Sequence, residues 1–153
     1  MAKSKRGTTL LLVDDDPSIV RLLSRILERS FGDEIVIQSL TDPTEARSRI
    51  LEGGVDILVT DLEMPKVNGL ELLRCAKQRN ASTQALFFTA HSSREALLEA
   101  IETGATDYLL KPVDQEQLIE LIRQALSRLQ RWNLALAETW RQRREQPAAT
   151  HQG

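Results

Sequence analysis

Three short apolar runs in this chain end on side chains that can hold a cation or a phosphoryl group. Leu11-Leu12-Val13 runs into Asp14-Asp15, Ile57-Leu58-Val59-Thr60 into Asp61, and Leu86-Phe87-Phe88 into Thr89. A fourth, Tyr108-Leu109-Leu110, runs into Lys111-Pro112. The polar group always comes at the C-terminal end of its run. In an open parallel α/β sheet, ligands lie in the crevice outside those ends. Three carboxylates, a hydroxyl and an ammonium gathered there make a site for Mg²⁺ and a phosphoryl group.

The chemistry follows from charge. Asp14, Asp15 and Asp61 within a few ångströms of one another raise each other's pKa, and a bound cation reverses that. Mg²⁺ suits such a set, because it takes one or two carboxylates and keeps the rest of its shell for water and phosphate oxygens. A turn and a helix cap account for Asp16, and for Asp14 and Asp15 taken alone the same plain reading stands. Asp61, at the end of another strand, favours the metal. Asp61 is also the carboxylate placed to take a phosphoryl group, a legitimate role for an aspartate. Charge on all three phosphoryl oxygens then calls for cations and donors around it, which Lys111 and Thr89 supply. Singly, Lys111 reads as a surface lysine and Thr89 as a strand-end threonine. Proline after Lys111 fits a tight turn with a cis bond.

The elements that must position these residues are legible. Strands are expected at Thr9–Val13, Ile35–Ser39, Val55–Thr60, Ala85–Thr89 and Asp107–Leu110. Several lack in/out alternation, as strands buried on both faces do. Helix starts stand between them: Asp16-Pro17, Asp42-Pro43-Thr44-Glu45, Asn68-Gly69-Leu70-Glu71, Ser92-Ser93-Arg94-Glu95 and Asp114-Gln115-Glu116-Gln117. Gly32, Gly53-Gly54 and Gly104 mark stops. Five β-α units argue for a parallel sheet covered on both faces, in the strand order 2-1-3-4-5. That order sets the first and third strands, with their aspartates, side by side. Met1–Thr8 and Gln146–Gly153 read as frayed ends.

The chain has 153 residues, 41% of them hydrophobic, enough for one domain and an added helix. A net charge of −2 gives no general case for nucleic acid. The single cysteine, Cys75, excludes an internal disulfide, reads as a buried structural thiol mid-helix, and suits a reducing cytoplasm. The apolar stretch after Lys3, Lys5 and Arg6 is too short for a signal peptide or a membrane span.

The last helix runs on past the five units. Leu118, Ile122, Ala125, Leu129, Trp132, Leu136 and Thr139 or Trp140 recur at spacings of four and three, the pattern of a coiled-coil seam. Both tryptophans fall there. Six arginines between Arg123 and Arg144 face Glu138 alone, and read as a solvated face, or as a basic partner patch. A homodimer through this helix, a signalling helix leading to an output domain, and a helix folded back on its own domain all remain open.

The chain resembles the receiver domain of bacterial two-component response regulators. Leu11-Leu-Val-Asp-Asp-Asp-Pro17, Asp61-Leu-Glu-Met-Pro-Lys-Val-Asn-Gly69, Phe88-Thr-Ala90 and Gly104-Ala-Thr-Asp-Tyr-Leu-Leu-Lys-Pro112 carry the likeness over about 9–127. It implies a flavodoxin-like, doubly wound (βα)5 three-layer sandwich with an extended last helix. The domain then spans 1–127, with a helical extension over 128–146 and a disordered tail over 147–153. Asp61 matches the phosphoacceptor. Asp14, Asp15, Asp61 and the backbone carbonyl of Glu63 match the Mg²⁺ ligands. Thr89 matches the switch hydroxyl, Lys111 the phosphate-binding lysine, and Tyr108 the aromatic that turns between outward and inward positions. Glu63 and His91 occupy the two positions flanking the path of the attacking water, where they would modulate phosphorylation lifetime. The implied donor is a histidine kinase or histidine phosphotransfer protein, in a phosphorelay. The implied output surface is the last two helices and the strand between them. A Mg²⁺-dependent phosphatase using Asp61, with Glu63 as acid, and a plain structural dimerisation module are the competing classes.

Overall fold

Five short apolar runs pair side by side, all parallel. The computed structural model describes residues 7–90 and 93–145. Its strands are β1 (Thr8–Val13), β2 (Ile35–Leu40), β3 (Ile57–Thr60), β4 (Gln84–Thr89) and β5 (Asp107–Leu110). They form one sheet in the order β2-β1-β3-β4-β5. The register sets Val13 opposite Thr60 and Thr89 opposite Leu110, so strands bearing site residues end nearly level. Three starts differ from the sequence reading. β4 begins at Gln84, one residue before Ala85. Thr8 belongs to β1 rather than to the frayed end. Val55 is buried but precedes β3. There, Asp56 turns its carboxylate back to accept the Thr9 N–H at 2.8 Å.

The helices are α1 (Pro17–Phe31), α2 (Pro43–Glu52), α3 (Gly69–Arg79), α4 (Arg94–Thr103) and α5 (Gln115–Glu145). Their starts have physical causes. Asp16, Asp42, Asn68 and Ser93 each accept a backbone N–H of the first turn, and the Asp114 carboxylate does so at α5. Pro17 and Pro43 open α1 and α2, where a missing N–H costs nothing. At the end of α4, Gly104 sits at φ 104°, a left-handed cap that a side chain would resist.

Two cores form, one on each face. Leu10, Leu12, Val59 and Phe88 pack with α1 and α5, while Leu11, Val13, Leu58 and Phe87 pack with α2, α3 and α4. β1 and β4 are thus apolar toward both layers, which explains their missing alternation. Truncating one such leucine to alanine costs about 2–5 kcal/mol. Cys75 is half-buried rather than buried, at the margin of the second core.

α5 is 31 residues long, about 46 Å. It buries Leu118, Ile122, Ala125 and Leu129. Beyond Leu129, every residue to Arg144 is exposed, so the helix does not fold back on the domain. Among the described residues, no helix is long and apolar enough to cross a membrane. The expected tail, 147–153, and His91 lie outside the described residues.

Candidate functional site

Asp14, Asp61 and Lys111 each owe their place to a strand that stops one step before them. Asp14 follows β1, and its N–H donates to Leu40 O at 3.3 Å. Asp61 follows β3, and its N–H donates to Val13 O at 3.0 Å. Lys111 follows β5, and its N–H donates to Thr89 O at 3.0 Å. These bonds extend the ladder by one residue and fix the root of each side chain. The Lys111-Pro112 bond is cis.

The side chains converge. Asp14, Asp15 and Asp61 each offer an oxygen within 4.8 Å of the others'. Asp14 is 0% exposed and Asp61 7%, whereas Asp15 reaches solvent. The Lys111 ammonium donates to Asp14 Oδ2 at 2.8 Å and Asp61 Oδ2 at 3.1 Å, so it bridges the two buried carboxylates. The Phe88 ring lies 5.2 Å from that ammonium. Asp14 Oδ1 accepts the Asp16 N–H at 2.9 Å, and Asp61 Oδ1 the Glu63 N–H at 3.3 Å. Each buried carboxylate is therefore held by two donors, one on either oxygen.

Electrostatics follow this geometry. The Asp15 carboxyl is raised above its ordinary value, first by burial, then by the hydrogen bond and negative charge of Asp14, with the charge of Asp61 a smaller addition. Burial works against the Lys111 charge, but the hydrogen bonds and charges of Asp14 and Asp61 outweigh it, so its pKa is raised. One ammonium faces three carboxylates, and the excess negative charge is what a divalent cation would balance. All the donors are oxygens, the ligand type that hard dications prefer.

The other described residues of the expected set, Thr89, Tyr108 and Glu63, fall at the same edge or beside it. Thr89 closes β4 and is 2% exposed. Tyr108 is half-buried on β5, against the α2–α3–α4 core. Glu63 is exposed, on the loop after Asp61. Two features were not legible as site features. A Cβ on Gly69 would collide with the Asp61 carbonyl oxygen and lie 2.9 Å from the Phe87 ring. Gly69 N–H also donates to Leu62 O at 2.9 Å, pinning the start of α3 under the loop that follows Asp61. In the sequence Gly69 marks only a helix start. Lys66, in the same loop, has φ 70°, and Val67 N–H donates to Pro65 O across it at 2.8 Å, a γ-turn of the strained hand.

The family model for the response regulator receiver domain matches residues 10–123. The chain belongs to this family. The receiver is 34% identical over 119 residues to the DNA-binding transcriptional regulator NtrC of Salmonella typhimurium, covering 78% of this chain and 25% of that protein. It is 36% identical over 116 residues to the response regulator protein PilR of Pseudomonas aeruginosa, covering 76% and 25%. The chain thus spans a quarter of the length of these relatives. Among solved structures, a receiver domain protein from Clostridium thermocellum superposes with a TM-score of 0.73 at 27% identity, over 84% of this chain and 98% of that one. A CheY-like receiver domain protein from Methanospirillum hungatei does so with a TM-score of 0.74 at 27% identity, over 82% and 98%. The receiver's sheet order and layers are those of the flavodoxin-like fold.

Proposed function

We propose that this receiver is a phosphorylation-dependent switch that takes its phosphoryl group on Asp61 from a histidine kinase or histidine phosphotransfer protein. The observation that supports it most is the Lys111 ammonium shared by Asp14 and Asp61, with Asp15 beside them. An Asp61 carboxylate oxygen forms the bond to phosphorus. The phosphorus–nitrogen bond to the donor imidazole breaks, and the departing nitrogen keeps the electron pair. Asp14, Asp15, Asp61 and the Glu63 carbonyl would hold Mg²⁺, which when bound supplies positive charge to the phosphoryl oxygens. Lys111 supplies a second positive charge and Thr89 a hydroxyl. Glu63 and His91 set the lifetime of the acyl phosphate.

Switching follows from the added charge and acceptor oxygens at one edge of the sheet. Thr89 drawn toward the phosphoryl group vacates space for Tyr108, and the face of α4, β5 and α5 changes. On this reading the receiver ends near 127, and residues 128–146 form the extension. Two copies pair along its seam. The chain works in the cytoplasm, beside its kinase, and catalyses only its own phosphorylation and dephosphorylation.

Acetyl phosphate with Mg²⁺ tests this. One hydroxylamine-labile phosphoryl group per chain is expected, with no accumulating turnover of phosphate monoesters. Steady multiple turnover would favour the phosphatase. Mg²⁺ affinity unchanged in Asp15→Ala would argue for a scaffold without the metal site.

A further inference from the structure

The sheet has two ends. The acidic site lies outside the C-terminal ends of the strands. A second opening lies at the other end, where β4 and β5 start. It is a groove of about 680 Å³ between those starts and α5, a size that suits a small organic molecule. On the helix side it is walled by Trp132 and Leu136, 55% and 52% exposed. On the sheet side stand Gln84, buried at the start of β4, and Thr106, just before β5. Arg128 lies between the two walls, half-buried, one helical turn before Trp132.

Charge in the groove is one-sided. Its lining includes Lys77 and Arg128 and, among the described residues, no Asp or Glu. The two cations are not equivalent. Lys77 donates to Thr83 O at 2.6 Å and to Ala81 O at 3.3 Å, so its charge is set against carbonyls past the end of α3. Burial also holds its pKa below the usual lysine value. Arg128 instead meets a neutral partner, with Nη1 donating to Gln84 Oε1 at 2.9 Å. Gln84 Nε2 donates to Ser82 O at 3.0 Å, which fixes the way that amide points. The bond to Gln84 uses one of the five N–H groups of a guanidinium. Among the described residues, no carboxylate pairs with Arg128. Nor does a cation cover the Trp132 ring; the stacked pairs are Lys111 on Phe88 and Arg123 on Phe31.

Helix ends set the size of the charge that fits. The C-caps of α3 and α4, Asn80 and Gly104, both line the groove. It therefore faces the negative ends of two helices. A doubly charged phosphate is disfavoured there, whereas one carboxylate matches one guanidinium fork.

We propose that this groove binds a small aromatic carboxylate. The carboxylate pairs with Arg128, and the ring lies against Trp132 and Leu136. The site is separate from Asp61, at the opposite end of β4 from Thr89. It does not rest on self-pairing, and a second copy seated on Trp132 would compete with the acid.

Ligand-observed NMR with naphthoate as the probe tests the site on the 153-residue chain. Broadening of the naphthoate signals is expected, with naphthamide and naphthyl phosphate binding about tenfold more weakly or worse. Arg128→Gln and Trp132→Ala should each weaken naphthoate by about tenfold. Arg131→Gln, an exposed neighbour outside the groove, should leave it unchanged. Arg128→Lys keeps the charge but loses the fork, and should fall between the unmodified chain and Arg128→Gln. Urea midpoints read beside each variant separate loss of binding from loss of fold. Equal weakening in Arg128→Gln and Arg131→Gln would mean attraction to the helix charge alone, and overturns the site. Amide or phosphate binding as tightly as the acid overturns it as well. No broadening at all does the same, and Trp132 emission that shifts with chain concentration in Trp140→Phe would then assign the groove to a second copy.

Discussion

At the scale of single residues, Lys111 is the cation that joins the two buried carboxylates. Its ammonium holds Asp14 and Asp61 together, and without it two buried carboxylates face each other. Lys111→Met should lose about 3 kcal/mol in urea unfolding at neutral pH, the lower end for breaking a buried charge pair. Mg²⁺ should restore more stability to this variant than to the unmodified chain, because the dication supplies the charge that was removed. Equal Mg²⁺ effects on both would contradict that exchange. Gly69 acts by being small. Gly69→Ala must displace the Asp61 carbonyl or the Phe87 ring, at a cost of about 1–3 kcal/mol, and the yield of acyl phosphate should fall with the melting temperature. An alanine variant with unaltered yield would separate helix packing from the acceptor. The acid trio, Thr89 and Lys111 were legible because each ends an apolar run. The crowding at Gly69 and the ring under Lys111 were not, since both arise between residues that only the folded chain brings together.

At the scale of elements, helix starts carried the clearest local code. Asn68 accepts the Glu71 N–H at 3.0 Å, and the first residue of its helix abuts the loop that follows Asp61. Asn68→Ala should cost about 1 kcal/mol, seen as a lower urea midpoint. Asp16 and Asp42 titrate below their ordinary value of 3.8, first because Ser18 and Thr44 side chains donate to them, then because the same residues' backbone N–H groups do. A folded pKa below the unfolded one means stability that is complete above pH 3.8 and lost as pH falls through the lowered values. Asp42→Asn should therefore flatten the acid limb of a plot of urea midpoint against pH, and an unchanged limb would count against the cap. Element existence and order were legible throughout. The start of β3 was not, because Asp56 meets Thr9 of β1 with its carboxylate as well as its backbone N–H, and hydrophobicity does not record such a contact. Cys75 was misplaced for a related reason: on a helix with one face on the core, position alone does not separate the centre of that face from its margin.

At the scale of the molecule, one helix serves both the domain and an exposed overhang. The seam from Leu118 to Trp140 was legible as a spacing, but its change of role at Leu129 was not. The same apolar period serves first the core and then an exposed overhang. Arg128 marks the crossing, with its Nη1 donating to Gln84 Oε1 at 2.9 Å at the start of β4. Thr89 lies at the other end of that strand, so a change at Thr89 has a short, buried route to the root of the overhang. Thr89→Ala should still accept a phosphoryl group yet lose most of the phosphorylation-dependent change in hydrogen exchange across α4, β5 and α5. The full change in that variant would rule the route out. If Asp61 accepts the phosphoryl group in a pocket whose acids favour a divalent ion, labelling needs both that residue and the ion. Intact mass after acetyl phosphate, with and without Mg²⁺, for the unmodified chain and Asp61→Asn, tests it most directly. One added phosphoryl group is expected, only with Mg²⁺ and only on the unmodified chain. Equal labelling of Asp61→Asn, or labelling indifferent to Mg²⁺, would contradict it.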